Sequence, residues 1–210
     1  SMLPHSSIAQ ELQLSALAGY VALLASSSAV WLLLDVQAAV QWGIVASLAW
    51  TYAVSQAWLR RAQNRASATS PDYSTLGLGT HLTLLRGALI AAMAGFLVLH
   101  NEPRISAAVP ALLYSVAAIL DRVDGAVARK RNHTSQLGSE LDTVFDAMGL
   151  LIAPMLAVLY GKVHFSYLLV SIAYYCFVAG LGWRSRHGLA NYPLHPSLLR
   201  RTLAGFQMGF

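Results

Sequence analysis

The sequence predicts an all-α fold: a polytopic membrane helical bundle with six transmembrane helices and the start of another. Three observations lead there. Of 210 residues, 56% are hydrophobic and only 11% are charged, whereas an ordinary soluble domain carries about 25% charged residues. Apolar runs recur along the chain, each near the roughly twenty residues that cross a hydrocarbon core as a helix. Lys and Arg gather in alternate connections, the distribution of a chain that weaves through a bilayer.

The elements follow in order. The opening Ser1-Met2 reads as a cloning remnant without structural weight. Hydropathy places spans at about 14–34, 37–58, 83–100, 106–128, 137–160 and 164–183. The first starts well inside the chain, has no basic segment ahead of it and runs directly into the second, so it is not a signal peptide. These two spans make an N-terminal transmembrane hairpin, residues 1–61. Residues 62–79, rich in Ser, Thr, Asn, Pro and Gly, form a polar linker, and residues 80–210 a second region. A further helix starts near Ser197 and meets the chain end at Phe210 inside an apolar run, so this region is expected to be truncated at its C-terminus.

Charge sets the topology. Arg60, Arg61 and Arg65 lie on one side. Arg129, Lys130 and Arg131 return to it after two crossings, and Arg184, Arg186, Arg200 and Arg201 after two more. Only Arg104 and Lys162 fall in the opposite loops, so the basic side is cytoplasmic. The net charge of +5 then reflects orientation and anionic headgroups, and nucleic acid is not an expected partner. Trp31, Trp42, Trp58 and Trp183 fall near span ends and read as an aromatic belt. Cys176, the single cysteine, has no internal disulfide partner and reads as a small core or lipid-facing residue.

Against this apolar background stand Asp121, Asp124, Asp142 and Asp146. Ionised groups in a membrane are costly and mark functional sites. Asp121 and Asp124 are spaced i, i+3 and share a helix face with Ala128. Gly125 and Ala128 are small enough to admit a ligand or a neighbouring helix, and Arg129 can pair with phosphate. Thr134 or Ser135 can cap the next helix, on which Gly138, Asp142 and Asp146 follow at i, i+4, i+8 as one slowly drifting stripe. Helices joined by a short turn are antiparallel neighbours, so the two acidic faces converge. Four carboxylates repel one another unless something positive holds them; hard oxygen donors suit Mg²⁺ or Mn²⁺ and are numerous enough for two ions. Glu140 is offset from the stripe and reads as a partner for a headgroup or a basic residue.

These residues carry a resemblance. The pattern Asp121-x2-Asp124-Gly125-x2-Ala128-Arg129-x8-Gly138-x3-Asp142-x3-Asp146 resembles, at every fixed position, the signature of the CDP-alcohol phosphotransferases (CDP-alcohol phosphatidyltransferases). The likeness runs from about Leu76 to the chain end and makes residues 80–210 a catalytic core, with the hairpin outside it. It implies a membrane enzyme of phospholipid biosynthesis that transfers a substituted phosphate from a CDP-linked donor to an alcohol acceptor and releases CMP. It further implies metal ligation by Asp121, Asp124, Asp142 and Asp146, with Asp146 also the general base. Gly125, Ala128, Arg129 and Gly138 would be nucleotide-binding. A homodimer among membrane lipids, with the active site facing the cytoplasm, is the expected setting. The chemistry is coherent, since cations neutralise a pyrophosphate and a carboxylate accepts the proton of an attacking alcohol.

Upstream, members of this family often carry Pro-Asn-x-x-Thr-x-x-Arg. Here Thr83 and Arg86 match, while Gly79 and Thr80 stand at the Pro and Asn positions. Thr83 is a candidate nucleotide contact; Arg86, Arg200 and Arg201 are candidates for binding acceptor or phosphate. The histidines His133, His187 and His195 lack metal-ligand spacing. Two other functions compete: a catalytically inactive relative that binds CDP-lipid, and an ion-coupled transporter using the Asp cluster. The absence of an internal repeat argues against the transporter.

Overall fold

The computed structural model describes residues 7–186, and the described part divides after Leu168. The first unit holds helices α1 (Ile8–Leu33), α2 (Val36–Leu59), α3 (Gly77–Gly95, continued by a 3₁₀ turn at Phe96–Leu99), α4 (Ala108–Lys130) and α5 (Gln136–Leu159). The second begins at Leu169, within α6 (Leu168–Arg186), on which Cys176 is exposed as a free thiol. The expected all-α class holds: among the described residues, extended pairing is limited to an isolated bridge between Arg65 and Asp72. Among the described residues, three helices are long and apolar enough to cross a membrane: Ile8–Leu33, Gly77–Leu99 and Gln136–Leu159. α2 is diluted by Gln37, Gln41, Gln56 and three tryptophans, and α4 carries Asp121, Arg122 and Asp124 in its second half.

Local chemistry fixes the helix ends. Ser7 and Gln10 form a capping box at the start of α1. Asp35 caps α2 by accepting from the Ala38 N–H at 2.8 Å, which makes the α1–α2 turn tight. On the other side of α3, Arg104 bonds Glu102 at 2.7 Å and lies 3.7 Å from Asp35. That hydrogen bond from Arg104 holds the Glu102 carboxyl below its usual range.

α3 is the central helix, packing against α1, α2, α4 and α5. It starts at Gly77, inside the segment expected to be linker, rather than near residue 83. The reason is tertiary. No side chain of its own caps the first turn; Glu11 of α1 accepts the Leu76 N–H at 3.0 Å and lies 3.5 Å from His81 Nε2. The polar opening turns of α3 are therefore stabilised by α1, which a hydropathy window does not see.

Small residues let the helices close. Gly95 faces the Trp42 indole, and a side chain there would overlap it. Trp42 is 2% exposed and meets Phe96 edge-on. This corrects the aromatic-belt reading for Trp42, which is a core residue because glycine leaves it room; Trp31 and Trp183 are exposed. Gly19 likewise receives the Trp50 ring, whose Nε1 donates to the Ala16 carbonyl at 3.0 Å.

Two measurements check this account. Gly19→Ala drives a methyl into the immobilised Trp50 ring and is expected to destabilise by about 1–3 kcal/mol, read as a lower midpoint of thermal unfolding in detergent. Glu11→Ala removes the cap of α3 and is expected to cost roughly 0.5–2 kcal/mol; an unchanged midpoint would show that α3 holds its first turn unaided.

Candidate active site

α4 ends and α5 begins at the same end of the first unit as the start of α3. Asn132 adopts a left-handed conformation (φ 50°) that ends α4, and the His133 N–H reaches back to the Ala128 carbonyl at 3.0 Å. Ser135 is the cap of α5, accepting from the Gly138 N–H at 3.0 Å. This short turn makes α4 and α5 antiparallel neighbours, as their spacing predicts. Arg60 pairs with Glu140 at 3.0 Å, so Glu140 meets a basic residue as expected.

The four aspartates converge on one side chain of α3. The Arg86 guanidinium is 2% exposed. Its Nη1 bonds Asp121 and lies 2.7 Å from Asp142 Oδ1, an ion-pair contact outside hydrogen-bond alignment, and 3.8 Å from Asp124 Oδ2. Its Nη2 donates to the Asp142 carbonyl at 3.0 Å and to Asp146 Oδ1 at 3.3 Å. Asp124 is buried and also accepts from the Thr83 hydroxyl at 2.9 Å. The side chains of Asp121, Asp142 and Asp146 remain 40–51% exposed, and one oxygen from each lies within 4.8 Å of the other two. Oxygens trans across a Mg²⁺ ion are about 4.2 Å apart, twice the metal–oxygen bond, so the spacing of this trio is close to that of a divalent-cation site.

Beside the carboxylates lies a cavity of about 190 Å³, lined by residues of α3, α4, the turn and α5. Thr83, Gly125, Ala128, Arg129 and Gly138, the sequence-predicted nucleotide positions, all line it, together with Asp124 and Asp142. The small residues have specific neighbours. A Cβ on Gly79 would stand 2.9 Å from Ala128 Cβ, so α3 and α4 touch backbone to backbone there. A Cβ on Gly125 would meet Arg129 Nη1 at 3.2 Å, so the bare backbone leaves the guanidinium its place. A Cβ on Gly138 would crowd Ser135 Oγ at 3.2 Å and Thr80 Oγ1 at 3.4 Å.

Arg86 does not line this cavity, and Arg200 and Arg201 lie outside the described residues. Sequence reasoning missed Gly79, Thr80, His133, Thr134, Ser135 and Ser139 as cavity residues. Thr80 and Gly79 were visible only as departures from a family pattern. His133 gave no signal, because its role depends on the segment before α3. Its ring packs on Gly77, whose φ of +79° suits glycine, and stacks on Tyr73 with centroids 4.0 Å apart. Tyr73 also donates to the Thr134 carbonyl at 3.2 Å, and the Gln136 N–H donates to the Arg65 carbonyl at 2.8 Å. Asn64, buried, donates to the Thr75 carbonyl at 2.8 Å and fixes this strap from within.

Comparison with known proteins agrees with the residues. Residues 77–191 match the family described as CDP-alcohol phosphatidyltransferase. A 58-residue segment, 28% of this chain, is 41% identical to the CDP-diacylglycerol--inositol 3-phosphatidyltransferase of Saccharomyces cerevisiae, of which it covers 24%. The chain thus spans about a quarter of the length of this curated relative in the part that matches. No solved structure matches the chain. The family match takes in more than half of the sequence, including the helices that carry the cavity and the carboxylates, and the chain belongs to the CDP-alcohol phosphatidyltransferase family.

Proposed function

We propose that this chain transfers a phosphatidyl group from CDP-diacylglycerol to the hydroxyl of a small polyol, with release of CMP, at the cavity between α3, α4 and α5. The observation that carries this reading is the meeting of the signature residues: the nucleotide positions around one cavity, the four aspartates beside it. The choice of lipid donor is supported by the yeast relative, named for phosphatidyl transfer to inositol. The opposite arrangement, a CDP-linked headgroup and a lipid alcohol, would use the same aspartates.

In this reading the CMP moiety occupies the cavity, where Gly125, Ala128 and Gly138 let it approach the backbone and Arg129 pairs with pyrophosphate. Asp121, Asp124, Asp142 and Asp146 would hold Mg²⁺ or Mn²⁺, a donor set large enough for two ions, which would neutralise the pyrophosphate and stabilise departing CMP. Asp146, the most exposed of the four side chains, takes the acceptor proton. The alcohol oxygen then forms a bond to the phosphatidyl phosphorus, the bond from that phosphorus to the CMP oxygen breaks, and CMP leaves with the electron pair.

The same reading extends to the whole chain. Six membrane spans, with residues 1–61 as an accessory hairpin, 62–79 as a connection and the catalytic core from residue 80 onward, fit the six described helices. A cytoplasmic active site is supported by Arg60, Arg61, Arg65, Arg129, Lys130 and Arg131, which lie at the end of the helices where the cavity opens.

Release of CMP from CDP-diacylglycerol, measured with Mg²⁺ or Mn²⁺ and a panel of alcohols including inositol, tests the proposal. Asp146→Asn is expected to lower the rate by roughly 10²–10⁴-fold, the usual contribution of a general base. CMP release that ignores chelator, or full activity in Asp146→Asn, would overturn the mechanism. CMP formed only from a CDP-linked headgroup with diacylglycerol would reverse the substrates. The strap makes a separate prediction. Tyr73→Ala removes the ring that backs His133 and is expected to raise KM for the CDP donor about two- to tenfold, the worth of one aromatic stack, with kcat little changed.

A further inference from the structure

Arg86 has a buried, unpartnered Nε, while both of its terminal nitrogens are engaged. A buried donor without a partner is unfavourable, so hydrogen-bond fit alone does not account for this residue. Its surroundings do. Four carboxylates lie within 4 Å of its terminal nitrogens, and among the described residues no other Lys or Arg makes an ion pair with any of the four. The arrangement also has a direction. The guanidinium is at the base, 2% exposed, while Asp121, Asp142 and Asp146 turn toward the open side. A phosphate coming from that side meets carboxylates before it can meet Arg86.

We propose that Arg86 is the resident counter-cation of the cluster, a positioning residue that holds the four aspartates together from beneath and leaves their outer oxygens for a divalent ion, and that it does not contact substrate phosphate. One fixed positive charge against four negative ones leaves a net deficit of three. The cluster is thus gathered before an ion arrives, yet still attracts one. The part of this inference that concerns the ion rests on the metal site proposed above; the part that concerns Arg86 and the carboxylates does not.

The test is thermal unfolding of the purified full chain in detergent, in EDTA and in excess Mg²⁺. Arg86→Met keeps bulk and removes charge. In EDTA it is expected to lower the midpoint by on the order of 10 °C, the scale of a buried charge left unpaired. Mg²⁺ should close much of that gap, and adding Asp121→Asn to Arg86→Met should close part of it in EDTA, because one repelling charge is gone. Arg86→Lys, which keeps a cation, should lose less and serves if Arg86→Met does not fold. An Arg86→Met loss equal with and without Mg²⁺, and untouched by Asp121→Asn, would reduce Arg86 to packing and overturn the proposal. An unchanged midpoint with a raised KM for the CDP donor would overturn it in favour of phosphate binding. If the wild type itself ignores Mg²⁺, the metal reading fails, and the Asp121→Asn arm in EDTA still decides the role of Arg86.

Discussion

Four carboxylates must sit side by side at one end of an apolar helix bundle, and a single buried guanidinium faces all of them. Much of the architecture follows from where that guanidinium is anchored. Arg86 belongs to α3, so α3 must run through the middle of the first unit, with α4 bringing two aspartates from one side and α5 two from the other. A central helix with neighbours on several sides cannot present bulky residues to all of them. Gly79 yields to α4, Gly87 to Phe145 of α5, and Gly95 to Trp42 of α2. The glycines appear at eight-residue intervals, which lets one helix be approached closely at three depths by three different partners.

The same economy governs the cavity. Ala128 is both a wall of the cavity and the residue on which Gly79 rests; Gly138 is both a wall and the donor to its own cap, Ser135. Thr83 donates to Asp124 while lining the cavity. Substitution at such positions disturbs helix packing and the shape of the cavity together, because one atom-sized space serves both. The departure at Gly79 and Thr80 from the more usual Pro and Asn is physically consistent: glycine permits the close α3–α4 crossing, and Thr80 turns its hydroxyl toward Gly138.

What could be read from sequence was set by periodicity and spacing. Helical spacing alone put Asp121 with Asp124 and Asp142 with Asp146, and a short turn alone made their helices neighbours; both hold. Ser135 as a cap and Glu140 as a partner for a base were equally local inferences. The missing part was long-range. Nothing in the run from Arg60 to Leu76 announces that Tyr73 will stack on a histidine sixty residues later, or that Asn64 will be buried to hold that segment in place. Composition marked it as polar linker, which is true of its residues and misleading about its order. The start of α3 is hidden from the sequence for a related reason, since its first turn is completed by a carboxylate from α1. The position of Trp42 near a span end suggests an interfacial residue, whereas its burial depends on Gly95 in another helix.

The bond from the Leu76 N–H to Glu11 spans 65 residues, and this bears on how the chain is made. Glu11, which completes the first turn of α3, lies in the hairpin that precedes α3 in the chain and is synthesised before it. The docking point for the polar end of α3 is thus encoded ahead of both acidic helices. In the folded chain the hairpin is a support for α3, the helix that gathers the four aspartates, and contributes none of those aspartates itself.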